Sequence, residues 1–127
     1  MAAFPTGEEA LRAATEGLQS VHRTCANPNT GQPLQIRVGV HRGSALMVPV
    51  NGINDYFGQA VNIAARIESA AEPSQCLVSS AVLAGAGASH AFDELVASGA
   101  FEASGATLFR AKGIDEALSV RGLTLVG

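Results

Sequence analysis

Apolar residues recur at helical spacing from Thr6 or Gly7 to about Ala26: Ala10, Leu11, Ala14, Leu18 and Val21 fall on one face, behind a start marked by Thr6, Glu8 and Glu9. This pattern predicts an amphipathic helix. Asn27 to Pro33 then packs turn formers and two prolines into a loop. The period changes to two at Leu34, Ile36, Val38 and Val40, which alternate with Gln35, Arg37, Gly39 and His41 and predict a half-buried strand. Ala45 to Val50 forms a second apolar run with Asn51-Gly52 just beyond, so these pieces read as strands of one antiparallel sheet. Ahead of the first helix, Met1 to Pro5 reads as the tail of a buried strand closed by proline.

From Gly58 to about Ala71 the helical period returns, and Ala60, Ile63, Ala64, Ile67 and Ala71 share a narrow stripe that predicts a core face. Asn62, Arg66 and Ser69 lie roughly opposite it, and Asn62 and Arg66 form an i, i+4 pair able to reach one object. Gln75 to Ser79 reads as a short buried strand, with Ser79 or Ser80 as the cap of a brief helix through Leu83. Ala84 to Ser89 is weakly patterned, and Thr107 to Ala111 and Ala117 to Val126 are strand candidates joined by a turn at Lys112-Gly113.

Composition narrows the class. At 127 residues the chain suffices for one domain with a core, and 47% apolar residues with a net charge of -3 exclude a disordered chain and a basic nucleic-acid binder. No apolar run is long enough for a membrane span and no signal-peptide pattern opens the chain, so the cytoplasm is the default compartment. Cys25 and Cys76 have no CxxC spacing and read as reduced thiols, and His22, His41 and His90 are too scattered for a ligand set. Gly39 and Gly43 read as backbone requirements in a tight sheet, because neither Gly-rich phosphate fingerprint is present.

Arg37-Val-Gly-Val-His-Arg-Gly43, followed by Asp55-Tyr-Phe-Gly-Gln-Ala-Val-Asn-Ile-Ala-Ala-Arg-Ile-Glu-Ser69, resembles the strand, hairpin and helix of the class III adenylate and guanylate cyclases. The likeness continues through Leu77-Val-Ser79 to Lys112-Gly113-Ile114. On spacing alone, Asn62 and Arg66 are solvated helix surface and Asp55 is a turn residue. The resemblance reverses that reading: Asp55 matches the purine-reading position, Asn62 the asparagine that orients the ribose, and Arg66 the arginine that stabilises charge on the phosphates as the 3′-hydroxyl attacks. A carboxylate at Asp55 suits the exocyclic amine of adenine, which favours ATP. Lys112 lies in a late Lys-Gly region where the family's lysine contacts the triphosphate.

The resemblance also implies what the chain lacks. The family holds two divalent cations, magnesium or manganese, with two aspartates, one on the domain's first strand and one at a hairpin before the strand that Met1 to Phe4 resembles. Neither position exists in this sequence. The family's sites form at a head-to-tail dimer interface, so the chain is expected to give the purine, ribose and transition-state half and to be inactive alone, pairing with ATP and with a second copy or an intact cyclase. The implied fold is an α/β sandwich (α+β) of the ferredoxin-like class III cyclase type, lacking its N-terminal strand-helix portion. A non-catalytic, dimerising cyclase-like module and a guanylate cyclase are the alternatives.

Overall fold

The computed structural model describes residues 2–44, 46–51, 53–110 and 117–126, with only the backbone of 46, 48–50 and 53–55. Helix α1 spans Gly7–Thr24. It starts where Thr6 adopts extended backbone and its Oγ1 accepts from the Glu9 N–H at 3.1 Å, a cap that contributes about 1 kcal/mol. The apolar stripe delivers Leu11 and Leu18 to the core, as the periodicity predicts. The chain then closes on itself: Asn27 N donates to Gln32 O, Gly31 N to Asn27 O and Leu34 N to Cys25 O. This loop ties up Leu34, so the strand expected from Leu34 begins only at Arg37.

Strands β1 (Arg37–Val40), β2 (Leu46–Val50) and β3 (Ile53–Phe57) come next, then α2 (Gln59–Ala70) and β4 (Gln75–Ser79). The expectation of a single antiparallel sheet is corrected here. Among the described residues β2 and β3 pair only with each other, whereas β1 pairs in parallel with β4. Period-two alternation reports a pleated, half-buried strand and carries no information about its partner. The helix between β3 and β4 makes the return a crossover, and a crossover connection is what parallel neighbours require.

After the short α3 (Ser80–Leu83), helix α4 spans Ala86–Ala97, followed by β5 (Phe101–Ala103), β6 (Thr107–Phe109) and β7 (Leu118–Leu125). The larger sheet runs β1-β4-β7-β5, with β6 also paired to β7. Its contacts are antiparallel except β1 with β4, which fits the expected mostly antiparallel sheet. Helix α4 and strand β5 have no counterpart in the sequence reading. Ala88, Ala91 and Phe92 do bury at helical spacing, but Ala and Gly dilute the signal. Ala2 to Pro5 form no strand, pair with none among the described residues, and are exposed. The expected Lys112-Gly113 turn lies outside the described residues.

Two cores hold the layers together. Leu11 and Leu18 of α1, with Ala91 and Phe92 of α4, cover one sheet face against Val40, Cys76, Val78, Phe101 and Leu123. On the other face Ile63 and Ile67 of α2 pack against Val120, with Leu77, Phe109 and Leu118 around them. Both cysteines are free thiols; Cys25 is exposed, and burial pushes Cys76 up to about 12. Among the described residues no helix is long and apolar enough to cross a membrane.

Helix α2 sits unusually close to β1. A Cβ added at Gly39 would fall 2.6 Å from Ala64 O and also strike Glu68 N, and one at Gly43 would fall 2.6 Å from the Ala60 Cβ. These glycines are therefore required by the approach of a helix to the sheet, a sharper reason than sheet tightness. Gly39→Ala is expected to destabilise the fold by about 1–3 kcal/mol, the cost of overpacking against backbone that cannot yield. Urea unfolding would read this as a lower midpoint, with Gly17→Ala, whose added Cβ meets nothing within 4 Å, as the control.

Candidate functional site

Helix α2 is the element that carries the candidate chemistry. Its N-terminal boundary is Gly58, whose backbone has φ 138 and ψ 173, a conformation that only glycine adopts without strain. Gly58 O accepts from Asn62 N at 3.2 Å and so opens the helix. The chain thus passes directly from β3, which holds Asp55, into the helix that holds Asn62 and Arg66.

With Ile63, Ile67 and the small residues Ala60 and Ala64 turned to the sheet, Asn62 and Arg66 are exposed on the opposite side. Four residues of helix place them about 40° apart around the axis and about 6 Å along it, so both can reach one ligand. Neither side chain has a hydrogen-bond or ion-pair partner among the described residues. Asp55 sits on β3 with its backbone paired to Val48, and its side chain lies outside the described residues. Lys112 also lies outside them. The structure therefore places Asn62 and Arg66 side by side and leaves Asp55 fixed by backbone alone.

These residues line an open surface. A cavity of about 750 Å³ lies elsewhere, between α1, β1 and α2, and includes neither Asn62 nor Arg66. Among the described residues no group of three or more His, Cys, Asp or Glu side chains could hold a metal ion.

One polar contact near the start of α2 escaped the sequence reading. Ser79 occupies the N-cap position of α3 but makes no capping bond; its buried Oγ instead pairs with His41 Nδ1 at 2.8 Å. The contact joins the ends of the parallel strands β1 and β4, and no sequence signal links residues 38 positions apart. Burial lowers the His41 pKa from its ordinary value. His90 instead lies exposed on α4, with Nε2 2.6 Å from Glu94 Oε1. Glu94 also meets Arg12 at 3.2 Å, and the Arg12 hydrogen bond, reinforced by His90, holds its carboxyl below the usual range.

The sequence profile of the adenylate and guanylate cyclase catalytic domain matches residues 9–107, a span that contains Asp55, Asn62 and Arg66 and stops short of Lys112. The chain belongs to this family. Human guanylate cyclase soluble subunit beta-2 is 38% identical over 76 residues, 56% of this chain and 12% of that protein. Among solved structures, an adenylate/guanylate cyclase/hydrolase from Silicibacter pomeroyi is 30% identical with a TM-score of 0.67, covering 95% of this chain and 63% of the other. The catalytic core of a rhodopsin-guanylyl cyclase with converted specificity, in complex with ATPalphaS, shares the fold at 22% identity and TM-score 0.64, covering 94% of this chain and 57% of that one. The chain thus spans less than two thirds of the relatives it matches, and its mixed α+β architecture is that of the cyclase catalytic domain.

The His41 contact gives a pH dependence with a defined sign. A histidine whose folded pKa lies below its unfolded value stabilises the fold fully above the ordinary 6.5, and that stability is lost as pH falls, because the unfolded chain takes up the proton first. The urea midpoint is expected to drop from pH 7.5 to pH 5.5, and to drop less in His41→Gln. An unchanged slope in the variant would show that His41 does not carry the effect.

Proposed function

We propose that this chain supplies the purine-, ribose- and transition-state-binding half of a nucleotidyl cyclase site that converts ATP to cyclic AMP and pyrophosphate, the other half coming from a partner subunit. The observation that carries the reading is the exposed Asn62 and Arg66 pair, unpartnered among the described residues and seven and eleven positions after Asp55 on a cyclase-family scaffold. In the reaction the ribose 3′-hydroxyl gives up its proton to water as its oxygen attacks the α-phosphorus, a new O–P bond forms, and the bond from the α-phosphorus to the bridging oxygen of the β-phosphate breaks to release pyrophosphate. Negative charge grows on the phosphate oxygens as this happens. The Arg66 guanidinium offers planar donors to those oxygens and needs no reorganisation to do so. Asn62 can hold the ribose by its amide, and Asp55 can accept from the adenine amine. Lys112 is assigned to the triphosphate on its match to the family's late lysine.

The magnesium or manganese of this family supplies positive charge at the phosphates when bound. The described residues of this chain do not fit such an ion, so no step here passes through one and its ligands are assigned to the partner. The curated human and rat relatives are named as guanylate cyclase subunits, which favours GTP as the second reading. Asp55 is the ground for preferring ATP.

Two measurements decide. Cyclic AMP formation with manganese is expected to be absent for the chain alone and to appear when it is mixed with an intact homologue whose own equivalent arginine has been removed. Arg66→Ala should then lower kcat in the mixture by about 10²–10³ with little change in KM, as loss of one transition-state donor does. Activity of the chain alone, or no rescue in the mixture, sinks the half-site reading. Separately, Asp55→Ser should reduce the preference for ATP over GTP by about tenfold, the value of one charge-assisted hydrogen bond. An unchanged ratio removes Asp55 from base recognition.

A further inference from the structure

The two-residue period of β7 turns Ser119, Arg121 and Leu123 to one side of the sheet, and Leu123 belongs to the core under α1 and α4. Arg121 therefore stands on the α4 face, where its guanidinium lies over the Phe92 ring at 4.5 Å from the ring centre. Arg121 Nε also donates to Ser104 O at 3.2 Å, so the planar group is held from two sides. Its terminal nitrogens have no hydrogen-bond or ion-pair partner among the described residues. A guanidinium fixed in this way has already lost the side-chain freedom that binding an oxyanion would cost, and it keeps a fork of unused donors.

A cavity of about 320 Å³ lies beside it, between α3, α4 and β7. Helix α3 is a single turn, and short side chains at Ala84, Ser80, Ser89 and Ser119 leave the space open. The three serine hydroxyls have no hydrogen-bond partner among the described residues. Asp93 of α4 borders the same cavity and is exposed, and among the described residues it pairs neither with Arg121 nor with any other cation. One small cavity thus carries a positive and a negative group that do not meet.

Charge selects the occupant. Inorganic phosphate suits Arg121 and the hydroxyls but sets its own negative charge against Asp93, and a simple amine meets the repulsion of Arg121. A molecule with a carboxylate and an ammonium close together satisfies both. The volume stands at the low end of small-molecule pockets, roughly 300–1,000 Å³, which restricts the rest of that molecule to a small side chain.

We infer that this cavity binds a small free α-amino acid, with its carboxylate on the Arg121 fork and the serine hydroxyls and its ammonium at Asp93. This goes beyond the nucleotide reading and does not depend on it, because α2, which carries Asn62 and Arg66, packs on the opposite face of the sheet.

The probe is L-alanine, titrated into the full chain while backbone amide shifts are followed by NMR. Saturable shifts are expected at Ser89, Asp93 and Arg121. Acetate and ethylamine, which each carry one of the two charges, should bind at least about tenfold more weakly, the loss of one charge-assisted contact. Asp93→Asn, a change at an exposed position, should bring the affinity for L-alanine down to that for acetate. Arg121→Gln should abolish binding, with circular dichroism checking that the fold survives the loss of the Phe92 stack. The inference is overturned by absence of saturable shifts, by shifts confined to other residues, by equal affinity for L-alanine and acetate, or by undiminished binding in Asp93→Asn. Inorganic phosphate binding more tightly than L-alanine would also overturn it and assign the cavity to an oxyanion.

Discussion

Everything that positions the candidate site depends on the contact of α2 with β1 at Gly39. The helix backbone at Ala64 and Glu68 lies where a side chain of residue 39 would be, so the two elements meet at backbone distance. Such an approach works only with glycine on the strand and small residues on the helix, and Ala60 and Ala64 provide them. It fixes the rotation of α2 about its axis. Once Ile63 and Ile67 are locked against Val120 and its neighbours, the angle at which Asn62 and Arg66 leave the molecule is no longer free.

That rotation explains why the polar pair stands on an open surface. The helix has one face for the sheet, a flank for the cavity at Val61, Ala65 and Glu68, and a third side for solvent, where Asn62 and Arg66 project. A site built on an outward face needs a second surface to exclude water and to supply the missing charges.

Much of this was legible in the residue pattern, for definable reasons. Helices α1 and α2 have strong single-period stripes and a clear start at Thr6 or Gly58, and both appear within about two residues of the expected bounds. The polar trio opposite the α2 stripe was readable from the same period, and the cyclase motif gave Asn62 and Arg66 their roles. Helix α4 was missed because alanine and glycine blur a hydrophobic stripe even where Ala88, Ala91 and Phe92 bury. Strand β5, three residues long, is too short for any period to be counted.

What the sequence determined by itself was local: which stretches are helix or strand, which side of α2 is apolar, and which residue types stand ready to bind a nucleotide. Periodicity and motif are properties of neighbouring residues, so they survive without a third dimension. Only the tertiary structure decided that β1 pairs in parallel with β4 and apart from the β2–β3 hairpin, that Ser79 serves His41 and caps nothing, and that Gly39 is there for a helix. Each of these is a contact between segments distant in sequence, chosen by where the hydrophobic faces can close together, and no local pattern encodes that choice.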